Sequence, residues 1–181
     1  MDYPRRIDGR LRAWQAEWSR FAELTERVRS AVQSSALAVE ALHDYSRAYR
    51  RDLNSHVDGV TVVAIARLLD HLRTATGLDT APADIGDIFD IIPAVRLAAH
   101  AAVERGEDLA AAHASLGELY LVSGDQTAEM ERQEAMAHYL VAGAFPMERD
   151  ILLERLHFFA GLGFRPNLVS AAIAVLSPKP E

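Results

Sequence analysis

Between Leu11 and Leu176 the apolar residues recur at three- and four-residue steps, and nearly every interruption of that rhythm carries a glycine or a proline. Such steps place side chains on one side of an α-helix, whereas a half-buried strand needs alternation with period two. No pair of alternating segments joined by a hairpin-turn dipeptide occurs, so the pattern predicts an all-α protein of eight or nine helices. They are expected to form stacked antiparallel helical hairpins or an irregular helical bundle. With 181 residues, 50% of them hydrophobic, the chain can bury the core of one ordinary domain. Residues 1–181 are therefore read as a single all-helical domain. Residues 78–83, containing Pro82, are the natural subdivision between an aromatic N-terminal hairpin and the hairpins that follow.

The first stripe is Leu11, Trp14, Trp18, Phe21, Val28 and Val32, a heptad-like series. Trp14, Trp18 and Phe21 offer far more apolar area than an aliphatic seam, and either dock on the rest of the domain or form the seam of a homodimer. Ser34 and Ser35 are expected to cap a second helix reaching about Ser55, with Leu37, Ala38, Leu42, Tyr45 and Tyr49 inward. A third helix is expected from Thr61 to Thr76, stopped by Gly77. A short one follows from Asp84 to Ile92, and Pro93 begins the next, closed by Gly106. The last four are expected over 108–123, 127–143, 147–161 and 166–176. In the short helix Asp84, Asp87 and Asp90 recur every three residues between isoleucines, giving an acidic edge that favours the helix dipole or docks a basic partner.

From His113 to Pro146 the residues Leu116, Gly117, Tyr120 and Gly124 are followed by Ala135, Tyr139, Ala142 and Pro146. Two helices packed as a hairpin need small residues where the backbones approach and large ones around them. This spacing resembles one unit of the tetratricopeptide superfamily, and the long link between Gly124 and Ala135 is closer to its Sel1-like branch. A shifted match at Ala98, Ala99, Ala102, Gly106 and Ala111 extends the resemblance over about residues 94–146. The resemblance implies a scaffold for binding another protein or peptide, with the concave face on Ala111, Ala114, Glu118, Leu121 and Val122. Those residues suit the apolar side of an amphipathic or extended segment, with Glu118 orienting a basic group. The function implied is a non-catalytic adaptor, chaperone-like or regulatory module.

The alternative is a helical bundle that binds a small ligand or a metal pair, with enzymatic activity open. Two Glu-x-x-His pairs, Glu40/His43 and Glu154/His157, have the spacing that builds di-metal carboxylate sites in bundles. Against this, Glu40 and His43 share their helix face with Asp44, Arg47 and Arg51, as on a solvated surface. The remaining histidines form no His-x3-His pair. No phosphate-binding loop, dinucleotide fingerprint or nucleophile elbow occurs, and cysteine is absent, so no cofactor is implied. The net charge of −7 is uneven, +2 over residues 1–52 and −9 over 53–181, which argues against nucleic acid. No apolar run suits a leader or a membrane span, so a soluble cytoplasmic protein is expected.

Overall fold

The structure, a computed structural model, describes residues 24–77, 85–123 and 129–177, with side-chain surroundings for 36–75, 87–123 and 132–177. The described residues form seven full helices and no strand. These are α1 (Leu24–Arg51), α2 (His56–Thr76), α3 (Ile92–Arg105), α4 (Leu109–Ser123), α5 (Glu129–Ala142), α6 (Pro146–Gly161) and α7 (Pro166–Leu176). A short helical turn, Ile85–Ile88 continued as the 3-10 turn Phe89–Ile91, leads into α3. The all-α class holds; among the described residues the expected count of eight or nine exceeds what is found for two reasons. The chain passes through Ser34 and Ser35 without a break, and residues Ile85–Ile91 form only a short helical turn and a 3-10 turn. Serine caps a helix where the backbone departs from it, but Ala31, Val32, Ala36 and Leu37 around the pair all sustain a helix and no Gly or Pro interrupts them.

The start of α2 also differs, falling at His56 and not Thr61. Ser55 is its N-cap: the hydroxyl oxygen accepts from the Asp58 amide at 3.4 Å, and the hydroxyl donates to the Asp58 carboxylate at 2.7 Å. The Ser55 side chain thus satisfies one amide that the first turn leaves without a helical partner, while the Ser55 amide itself donates to the Asp52 carbonyl. Gly59, a poor helix residue, is tolerated because α2 is crossed there at close range. A Cβ on it would stand 2.5 Å from Val95 Cγ2 and 2.9 Å from Tyr49 Cε2. The ends behave as expected at Gly77 and Gly106, whose φ of 70° and 68° lies where side chains other than glycine are strained.

Helix α4 is the centre of the molecule, packing against α2, α3, α5 and α6. Ala112, Ala114 to Leu119, Leu121 and Val122 are all buried, so α4 is enclosed on every side and not on a single stripe. Helix α2 is nearly as enclosed, with Gly59 to Ala66 buried in succession. Around these two, α1 contributes Ala38, Ala41, Leu42, Tyr45 and Tyr49, and α3 the small stripe Val95, Ala99 and Ala102. The pair α4–α5 closes tightly because Gly117 has no side chain: a Cβ there would lie 3.2 Å from the face of the Tyr139 ring. Helices α6 and α7 pack on each other, α7 also meets α5, and one buried cluster runs from Ala38 of α1 to Leu176 of α7.

Candidate functional site

The face expected to form a peptide groove is filled by the chain's own helices. Ala114, Glu118, Leu121 and Val122 are buried and Ala111 is half-buried. A concave face requires this side of α4 to stay open, but α4 packs against α2, α3, α5 and α6 together. Glu118 is held there by an ion pair with Arg155 of α6, its side chain 3% exposed against 29% for the arginine. The carboxylate keeps the Arg155 guanidinium firmly protonated, well above its ordinary range. Burial, and then the negative charge of Glu118, raise the Tyr139 phenol well above its ordinary value. Nearby Glu148 is also raised, chiefly by burial. Glu118 is thus committed to an internal partner, and a charge buried in this way is costly to leave alone.

The other expected sites fall as follows. Asp87 and Asp90 are exposed on the short turn, while Ile88, Phe89 and Ile91 pack against the core and Arg67 lies 3.8 Å over the Phe89 ring. Asp84 lies outside the described residues, as do Trp14, Trp18 and Phe21 and residues 78–83. Glu40, His43, Glu154 and His157 are all exposed on α1 and α6, which do not pack closely together. No group of three or more His, Asp or Glu side chains among the described residues stands in a metal-holding arrangement. The di-metal expectation therefore finds no assembled ligand set in those four residues.

Two features were not anticipated from the sequence. The first is a histidine cluster built from three helices: His100 on α3, His113 on α4 and His138 on α5. The Nδ1 atoms of His113 and His138 face one another at 2.9 Å, so one ring donates a proton and the other accepts it. Their ring centroids are 5.1 Å apart, His100 lies 6.2 Å from His138, and Tyr120 stacks on His138 at 5.9 Å with the planes 7° apart. Arg96 sits 5.0 Å over the Tyr120 ring, and Glu134 lies 3.9 Å from the outer nitrogen of His138. Burial lowers both members of the pair, each further lowered by neighbouring imidazoles, while Glu134 acts in the opposite direction on His138. A search for two histidines on one helix face misses this cluster, because each helix supplies one.

The second feature is apolar and lies at the corner where α5 turns into α6. Leu140, Val141, Phe145, Met147 and Ile151 are all exposed, Met147 at 76% and Leu140 at 64%. Five large apolar side chains within twelve residues form a patch, unlike the single exposed leucines that any surface carries. The bend is enforced by Gly143, where a Cβ would meet Leu176 of α7 at 2.6 Å, and by Pro146 at the start of α6. Acidic groups outnumber basic ones beside it: Asp150 and Glu154 are exposed, while Arg149 is close to Asp150 at 3.6 Å.

No protein-family model, curated protein or solved structure matches this chain. Among the described residues no helix is long and apolar enough to cross a membrane.

Proposed function

We propose that this chain is a non-catalytic protein-interaction module of the cytoplasm, an adaptor or regulatory protein, and that it binds its partner at the α5–α6 corner. The observation that carries this reading is the exposed patch of Leu140, Val141, Phe145, Met147 and Ile151. The partner that fits is an amphipathic helix whose apolar side covers the patch and whose flanks are basic. Asp150 and Glu154 border the patch, and residues 53–181 carry a charge of −9, so a cationic segment is drawn in and an acidic one repelled. The tetratricopeptide resemblance agrees with a binding role and adds no partner. The resemblance pointed to the face of α4, which is mostly buried, and the exposed apolar residues at the exit of α5 into α6 support the corner instead.

The test uses the full chain and a fluorescein-labelled synthetic amphipathic helix of leucine and lysine, followed by fluorescence anisotropy. The double substitution Met147→Ser with Ile151→Ser, which removes apolar area without adding charge, should weaken binding about tenfold or more, since each buried apolar side chain contributes roughly 1.5–3 kcal/mol. A scrambled peptide of the same composition should bind weakly. Equal affinity for wild type and variant would refute the corner as the binding site.

A further inference from the structure

We propose that His113 and His138 form a two-imidazole binding site for one divalent cation of the nitrogen-preferring kind, zinc above all, and that His100, which does not stand in a ligating position without the ion, is drawn in as a third ligand. The two rings direct the same nitrogen, Nδ1, at each other at 2.9 Å and share one proton. Two imidazoles bound tetrahedrally to zinc at about 2.0–2.1 Å would hold their nitrogens about 3.3 Å apart. An ion can therefore replace the shared proton if the pair opens by about 0.4 Å, a displacement within the reach of side-chain torsions. The ring spacing agrees: two imidazoles on one tetrahedral ion have centroids about 5 Å apart, and this pair stands at 5.1 Å. His100, 6.2 Å from His138, needs to approach by about 1 Å and turn its ring.

The surroundings of the pair have the character of a ligand's support. With Nδ1 of His138 directed inward, its Nε2 stands 3.9 Å from the Glu134 carboxylate, beyond hydrogen-bond distance but near enough for that negative charge to favour a bound cation. Tyr120 stacks flat on the same ring and restrains its orientation. The three histidines come from three helices that pack directly on one another through α4. The His138 side chain retains 13% exposure, which leaves an ion a way in. As placed, the cluster is a proton-bridged pair with a third ring nearby, and ion binding draws that ring inward. Imidazole donors select zinc, copper or nickel over magnesium and calcium, whose ligands are oxygens. Arg96, over the Tyr120 ring, is a positive charge in the vicinity that favours an anion or hydroxide as the ion's remaining ligand.

The experiment uses the full untagged chain, stripped with a chelator, in isothermal titration with zinc chloride and separately with magnesium chloride. The expected result is one equivalent of zinc per chain, no uptake of magnesium, and movement of the His113 and His138 imidazole resonances on zinc addition. The double variant His113→Gln with His138→Gln, which keeps polar groups in the seam, should lose that equivalent. His100→Ala should weaken it, Glu134→Gln should weaken it only slightly, and His157→Ala should leave it unchanged. If the double variant does not fold, the wild-type imidazole resonances decide the matter by themselves. Absence of zinc uptake, uptake that survives the double substitution, or imidazole resonances that stay in place would overturn the proposal.

Discussion

Substituting Arg155 by methionine removes the guanidinium but keeps an unbranched apolar stem, and so isolates the charge that holds Glu118 inside the fold. The Glu118 side chain is 3% exposed and has Tyr139 beside it, so water cannot replace the lost partner. Removing one member of a buried pair costs about 3–5 kcal/mol, whereas an exposed pair is worth about 0–1 kcal/mol. For a chain of this size each kcal/mol moves the thermal midpoint by about 2–4 °C, so Arg155→Met should lower it by about 6–20 °C. Glu118→Gln should cost less, about 1–3 kcal/mol, because Arg155 is 29% exposed and can turn to solvent. The double variant Glu118→Met with Arg155→Met should recover most of the loss, since apolar side chains of similar volume can replace a buried pair with little change. Urea unfolding followed by circular dichroism, with calorimetry for the midpoint, measures all three. A cost below about 1 kcal/mol for Arg155→Met, or a double variant as unstable as the sum of the singles, would refute the account of α4 as an enclosed helix with an internal ion pair.

Three further outcomes can be checked independently. Gly59→Ala should destabilise by about 1–3 kcal/mol although alanine favours a helix, because the added Cβ meets Val95 and Tyr49; Val95→Ala should restore part of the loss, and a stabilised Gly59→Ala protein would contradict the crossing. Leu69→Ala, at a fully buried position of α2, should cost about 2–5 kcal/mol in urea unfolding. His56, whose Nδ1 lies 2.9 Å from the Ser115 hydroxyl, is lowered from its ordinary 6.5 mainly by burial, opposed by Asp108 and aided by Arg105. A lowered histidine takes up its proton more readily when unfolded, so its contribution is whole above pH 6.5 and declines as the pH falls below that value. The stability difference between wild type and His56→Gln should therefore shrink on going from neutral to mildly acidic buffer, and a constant difference would contradict this.

Helix ends were the most legible part of the fold, since Gly77, Gly106, Pro93 and Pro166 stop or start helices by restricting the backbone locally. The apolar run from Val60 to Ile65, at the start of the helix expected from Thr61 to Thr76, is helical for a different reason. Its flanks keep the helical step, and the run itself is apolar all round because α2 is covered on several sides. Which helix covers which was not legible. Leu121 and Val122 have the same composition whether they line a groove or a core, and only the packing of the other helices around α4 decides it. The same limit hid the Glu118–Arg155 pair and the histidine cluster, whose members lie 37, 25 and 38 positions apart. The start of α2 was legible and missed: Ser55 and Asp58 carry a capping signal that the apolar pattern, beginning later, obscured.

The central functional claim is that the partner binds at the α5–α6 corner and not along α4. Methyl NMR of the full chain, recorded during titration with the leucine–lysine amphipathic helix, tests it directly. The account predicts that the resonances of Leu140, Val141, Met147 and Ile151 move together while those of Leu121 and Val122 stay in place. Movement of Leu121 and Val122, with the corner methyls unaffected, would contradict it.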